Sequence, residues 1–191
     1  VETEFESGVP VAVDGEAMDP VALIEHLNEL AGAYGVGRSD LMEDRILGLK
    51  VRENYEHPAA TTLLAAHEAL EGLVLTKDER DFKQTVDEEW SQQAYEGLLD
   101  APLMDALDAY LMQSNDKVTG TVTIKFEGGQ ARPVARESEY AVYSEQAASF
   151  NTETVMGIEQ ADATGVAKYH GFQARLARDA EKRAKPDLED E

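Results

Sequence analysis

Apolar residues recur along the chain with two different periods, and the switches between them lay out its elements. Thr3–Phe5 is strand-like and Val9–Val13 alternates as a strand; Asp19-Pro20 then supplies a cap and a first-turn proline for a helix. Leu23, Ile24, Leu27, Leu30 and Ala31 form the apolar stripe of that helix, and Gly32 and Gly35 end it. Pro58 opens a second helix with Leu63, Leu64, Leu70 and Leu73 turned inward. Thr76 caps a third, in which Phe82, Val86 and Trp90 recur one turn apart, and Pro102 starts a fourth carrying Leu103, Leu107, Tyr110 and Leu111. Trp90 and Tyr95 read as packing residues, since an aromatic stripe at helical spacing usually fills a core. Strands then return: Val122, Ile124 and Phe126 alternate with polar residues, Gly128-Gly129 turns, and Ala131–Arg136 comes back antiparallel. Helices segregated from hairpin-joined strands predict an α+β domain, an antiparallel β-sheet with packed helices.

Leu41–His67 breaks these patterns by placing charge where a strand would carry apolar groups. Read as one strand from Met42 to Lys50, it sets Glu43, Arg45, Leu47 and Leu49 on one face and Met42, Asp44, Ile46 and Lys50 on the other. Mid-strand charges are costly to bury unless they pair or line a wet cleft. Glu43, Asp44 and Arg45 are therefore expected to face a cavity, with an edge strand of surface ion pairs as the competing reading.

The tail has its own character. Val166, Tyr169, Phe172 and Leu176 make one apolar stripe, while Lys168, Arg175, Arg178, Lys182, Arg183 and Lys185 concentrate positive charge. Such a C-terminal amphipathic helical arm can lie across its own body or a neighbouring copy. The expected organisation is a body over residues 1–160, an arm over 161–185, and a frayed acidic tail over 186–191.

Composition narrows the chemistry. With 191 residues, 42% of them apolar, one large domain with a real core is feasible. Lys+Arg 17 against Asp+Glu 39 gives a net charge of −22, which disfavours nucleic acid and anionic membranes as partners and points to a salt-loving source. There is no cysteine, so disulfides, thiolate nucleophiles and sulfur-rich metal sites are excluded. His26, His57, His67 and His170 fit no metal spacing, and no serine has a visible base partner. Ser7-Gly8 and Gly128-Gly129 are isolated turns, without the strand–loop–helix setting of a phosphate loop. No apolar run approaches a membrane span and no signal peptide opens the chain, which leaves the cytoplasm as the default. A start at Val1 within a strand-like segment suggests that the chain was cut from something longer.

Glu43-Asp44-Arg45-Ile46-Leu47-Gly48-Leu49-Lys50, continuing through Arg52, Tyr55-Glu56, Pro58-Ala59 and Thr61, resembles the pattern E-N-R-F-x-G-x-K-S-R-G-x-Y-E-T-P-A-G-T of the argininosuccinate synthase family. Leu27–Asp40 is similar to that family's L-N-E-x-A-G-x-H-G-V-G-R-x-D. Val118–Val122, Arg136-Glu137-Ser138 and Asp162–Gly165 resemble its hairpin strand, its G-R-x-S-P segment and the entry to its C-terminal helix. The resemblance covers nearly the whole chain. It implies an ATP-dependent ligase: citrulline's ureido oxygen attacks the α-phosphate of ATP (with Mg), giving a citrullyl-adenylate and pyrophosphate, and aspartate's amine then displaces AMP. In that family a preceding half carries the nucleotide, this portion lends citrulline contacts at the positions of Glu43 and Tyr55, and a C-terminal arm reaches another subunit of a homotetramer. The chain alone is then expected to be inactive. A carboxylate suits an ammonium group, and a phenol adds a directional hydrogen bond while its ring covers an aliphatic chain. Departures are Lys50-Val51-Arg52-Glu53 for Lys-Ser-Arg-Gly, His57 for threonine and Ala60 for glycine, which imply an altered turn before Tyr55. Lys50 and Arg52 suit either an anion contact or a plain surface role. The alternative reading is a non-catalytic oligomerisation or amino-acid-binding module derived from that fold.

Overall fold

Thr3 and Phe5 of strand β1 (Glu2–Glu6) are buried while their neighbours are not, and this alternation seats the strand at the middle of a five-stranded sheet. The computed structural model describes residues 1–144, 154–155, 158–159 and 161–184. The chain divides into two compact units, Val1–Val142 and Tyr143–Glu191. In the first unit β2 (Val9–Val13), β3 (Glu16–Ala17), β6 (Gly120–Glu127) and β7 (Gln130–Glu137) complete an antiparallel sheet of order β3-β2-β1-β6-β7. Strands β4 (Arg38–Asp44) and β5 (Lys50–Glu56) form a separate antiparallel pair. The arrangement is α+β.

Helix α1 (Pro20–Gly32) begins where the Asp19 carboxylate accepts from the Val21 and Ala22 amides at 3.1 and 3.2 Å. Helix α2 (Pro58–Val74) lies on the sheet. Its Ala66, Leu70 and Val74 interlock with Phe5, Val122 and Ile124 to make the main core. A second cluster joins Leu23 and Leu27 of α1 to Val13 and Ala59. Asn28 ties the two helices, its Oδ1 accepting from the Ala59 amide at 3.0 Å. Helices α3 (Lys77–Tyr95) and α4 (Pro102–Asn115) pack on each other around Val86, Met104 and Leu107, with Trp90 at the edge. Thr76 and Glu79 close a full capping box at the start of α3.

Several expectations need correction. Met42–Lys50 is not one strand: the chain reverses through Arg45–Leu49, where Gly48 adopts φ +78° and its amide donates to the Arg45 carbonyl at 2.7 Å. Leu64, expected inward, is 70% exposed, because Leu63 and Leu70 already occupy the face of α2 that meets the core. Phe82 is also mostly exposed and leans edge-on against Tyr110, ring centres 5.1 Å apart. Tyr95 is half-exposed and belongs to none of the core clusters among the described residues.

In the second unit a two-stranded ladder pairs β8 (Thr154–Val155) with β9 (Ile158–Glu159). The apolar stripe of the arm belongs to two helices, α5 (Asp162–Tyr169) and α6 (Phe172–Ala184), because Gly171 adopts φ +67° between them. Arg175 spans that break, donating to the His170 and Lys168 carbonyls at 2.9 and 2.5 Å. The acidic tail expected over 186–191 lies outside the described residues, as does Lys185.

Candidate functional site

The β4–β5 hairpin sorts its charges by face. Antiparallel pairing sets Arg38 opposite Glu56, Asp40 opposite Asn54, Met42 opposite Arg52 and Asp44 opposite Lys50, so these side chains share one side. Ser39, Leu41 and Glu43 share the other with Tyr55, Glu53 and Val51.

The first face is a ladder of exposed ion pairs: Arg38–Glu56 at 3.1 Å, Arg52–Asp40 at 2.5 Å and Lys50–Asp44 at 2.6 Å. The hydrogen bond from Arg52 holds the Asp40 carboxyl below its ordinary range. Exposed pairs of this kind contribute little to stability. Lys50 and Arg52 therefore have carboxylate partners, and the surface reading describes them. Asp44, expected to face a cavity with Glu43 and Arg45, lies on this opposite side.

On the second face Glu43 and Tyr55, twelve residues apart in sequence, meet: the Tyr55 hydroxyl donates to Glu43 Oε1 in a short hydrogen bond. Glu43 Oε2 is shielded from water, makes no hydrogen bond among the described residues, and lies 3.4 Å from Arg45 Nη1. Arg45 in turn donates through Nη2 to Glu53 Oε1 at 2.5 Å. The bond to Glu43, with some burial and the nearby negative charge, raises the Tyr55 phenol above its usual value. The bond to Glu53 likewise holds the Arg45 guanidinium firmly in its charged form. Each of these groups is fixed by its neighbour, and the resulting patch offers a carboxylate beside a phenol, a fit for a ligand carrying both N–H donors and an aliphatic stem.

Contacts at both ends of the hairpin hold it in place. At its base the His57 amide donates to the Gly37 carbonyl at 2.9 Å, and the His57 ring links Ser39 Oγ and Thr61 Oγ1 at 3.2 and 2.9 Å. His57 thus ties β4 to the first turn of α2. Near the tip the Tyr95 hydroxyl, from the end of α3, donates to the Asp44 carbonyl at 3.3 Å. The segment Val51–Asn54, where a glycine is replaced, is regular strand, so no altered turn intervenes before Tyr55.

Sequence reasoning singled out Glu43, Arg45 and Tyr55 but gave Glu53 and Tyr95 no part in the site. For Glu53 the sequence held only an indirect trace: Gly48 sits beside the reversal, which is centred on Leu47 and sets residue 53 opposite residue 41, next to Glu43 on the same face. Tyr95 carried no local signal, because its contact depends on where α3 ends. Among the described residues no group of three or more histidine, aspartate or glutamate side chains is placed to hold a metal ion.

Residues 1–177 match the family profile described as arginosuccinate synthase C-terminal domain. The chain is 74% identical over 180 residues to an argininosuccinate synthase of Halobacterium salinarum, covering 94% of this chain and 46% of that protein. It is 71% identical to the one from Natronomonas pharaonis and 56% identical to the one from Methanosarcina mazei, covering 93% of this chain and 44% of each relative. The chain belongs to the argininosuccinate synthase family. It spans about half the length of the relatives it matches, and the match is to the C-terminal domain of the argininosuccinate synthases.

Proposed function

We propose that this chain is the synthetase and multimerisation portion of an argininosuccinate synthase, a ligase of arginine biosynthesis that joins citrulline and aspartate at the expense of ATP. The observation that carries the reading is the Glu43–Tyr55 pair, brought together on one hairpin face at the two positions where the family resemblance implies citrulline contacts. Citrulline presents an ammonium at one end and a ureido group at the other. Glu43 supplies a carboxylate for the cationic or N–H end, and Tyr55 a directional polar atom with a ring to cover the stem. Neither residue makes or breaks a bond. Their contribution is to hold the ureido oxygen in line with the α-phosphate of ATP, which lowers the barrier by orientation.

ATP, with Mg, is assigned to another part of the enzyme. The two glycine turns Ser7-Gly8 and Gly128-Gly129 each join antiparallel strands and do not open a helix, so they aim no helix terminus at a phosphate. Aspartate and the displacement of AMP belong with that other part. The exposed apolar residues of α5 and α6, Val166, Tyr169, Phe172 and Leu176, suit an arm that docks on another copy, consistent with a homotetramer. A net charge of −22 and relatives such as that of Halobacterium salinarum favour a protein adapted to high salt, and the cytoplasm is its expected compartment. Among the described residues no helix is long and apolar enough to cross a membrane.

The test is AMP release from ATP, citrulline and aspartate. The chain joined to a nucleotide-binding half is expected to release AMP, and the chain alone to release none; turnover by the isolated chain contradicts the assignment. A second reading, an oligomerisation or amino-acid-binding module without catalysis, draws on the same exposed arm. It predicts that no added half restores turnover.

A further inference from the structure

Tyr55 has one hydroxyl proton, and it is committed to Glu43. A phenol that donates its proton within the protein has only lone pairs left to offer a ligand. Its role toward that ligand is thereby fixed: it accepts from an N–H and cannot donate to a carbonyl or carboxylate. What fixes the polarity is the orientation of Glu43, and this is set one step further back. Glu43 Oε2 is turned away from water, without a hydrogen bond among the described residues, 3.4 Å from the Arg45 guanidinium. That guanidinium is itself anchored at 2.5 Å on Glu53, from the partner strand. A carboxylate oxygen shielded from solvent is costly without a compensating neighbour, and Arg45 is the cation that the structure places beside it.

We propose that Arg45, held by Glu53, is a positioning residue that locks Glu43 against Tyr55 and so makes Tyr55 an obligate acceptor for an N–H group of the bound amino acid. This rests on the reading of Glu43 and Tyr55 as ligand contacts. It adds Arg45 and Glu53 to the site and states the chemical sense of the tyrosine contact: ammonium or ureido N–H toward Tyr55, carbonyl oxygen away from it. Arginine serves better than lysine because one planar group reaches both carboxylates through separate nitrogens, Nη1 toward Glu43 and Nη2 to Glu53. The Tyr95 hydroxyl, bound to the Asp44 carbonyl one residue before Arg45, steadies the backbone from which the guanidinium extends.

The test uses the intact chain. Citrulline affinity is read by an NMR shift titration, and the ionisation of the Tyr55 phenol by its ring-carbon shift against pH. Arg45→Gln is expected to weaken citrulline about tenfold, the scale of one charge-assisted hydrogen bond, and to move Tyr55 ionisation to higher pH because a neighbouring cation is gone. Glu43→Gln is expected to move it to lower pH, and Arg45→Lys to recover only part of the affinity. If Arg45→Gln loses the hairpin's strand shifts, Arg45→Lys with the hairpin intact decides the matter. Unchanged affinity in Arg45→Gln alongside weakened binding in Glu43→Gln overturns the proposal, as does reduced affinity with Tyr55 ionisation unmoved, which would make Arg45 a scaffold only. If Glu43→Gln binds like wild type, or wild type itself shows no saturable citrulline shift, the pocket reading fails. The relay then stands or falls on the Tyr55 titration: a shift in Arg45→Gln supports it, and none overturns it.

Discussion

Gly37 lies directly under the His57–Pro58 peptide: a Cβ at residue 37 would come within 2.6 Å of the His57 carbonyl carbon and 2.7 Å of its oxygen. Gly37 also adopts φ +78°. These two residues close the base of the hairpin that carries Glu43 and Tyr55, so site geometry depends on a backbone contact outside the site. Gly37→Ala is expected to cost about 2 kcal/mol or more, combining an unfavourable φ with a backbone clash. Hydrogen exchange should show the loss first in residues 38–56. Uniform protection with unchanged stability would contradict this account of the clasp.

Lys83 reaches from α3 to Glu71 of α2 at 2.8 Å, with its side chain only 6% exposed, and is shared with Asp87 at 2.9 Å. Burial disfavours the charged lysine, but the bonds to Asp87 and Glu71 outweigh it and raise its pKa. His67 also approaches Glu71, at 3.2 Å. Lys83→Met leaves a largely buried carboxylate short of its cation and is expected to cost about 3 kcal/mol in urea unfolding. The double variant Lys83→Met with Glu71→Leu should regain much of that loss. A double variant as unstable as the sum of the two single ones would show that the pair is not coupled.

Glu79 gives a pH signature. Its carboxylate accepts from Lys117 Nζ at 2.6 Å and from the Thr76 amide and hydroxyl at 2.8 Å each, which lowers its pKa to about 2. A depressed carboxylate stabilises the fold above its unfolded value of 4.5, and that contribution fades as pH falls from there toward 2. The melting-temperature difference between wild type and Glu79→Gln should therefore be constant above that range and shrink within it. A difference that does not change with pH would exclude Glu79 as a source of acid sensitivity.

The physical reasons for what could and could not be read in advance are visible in individual residues. Caps and periods are local, so Asp19, Pro58, Thr76 and Pro102 located four helix starts, and the Gly128-Gly129 turn located the β6–β7 hairpin. The alternation across Met42–Lys50 failed because a single Gly48 with positive φ reverses the chain there, and a period-two pattern cannot reveal a turn whose flanking residues stay apolar. Gly171 divided the arm in the same way. The pairing of Glu43 with Tyr55 became legible only through resemblance. Its physical basis, a register that puts residues 39, 41 and 43 on one side with 51, 53 and 55, needed the structure. Tyr95 lay beyond sequence reasoning, since its partner is a backbone carbonyl in a distant element.

Salt should stabilise this chain. A net charge of −22 on 191 residues repels itself, and raising ionic strength from 0.1 M to 1 M shortens the screening length from about 10 to about 3 Å. The melting temperature is expected to climb across that range in sodium chloride. A flat or falling curve would mean that the acidic surface is not a burden relieved by salt.

The most direct test of the central claim is citrulline binding to the intact chain against its Glu43→Gln variant, which removes one charge and keeps the shape of the side chain. Saturable binding by wild type, weakened about tenfold or more in the variant, is the predicted result. Equal affinity in the two proteins would contradict the assignment of Glu43 and of the hairpin face it shares with Tyr55.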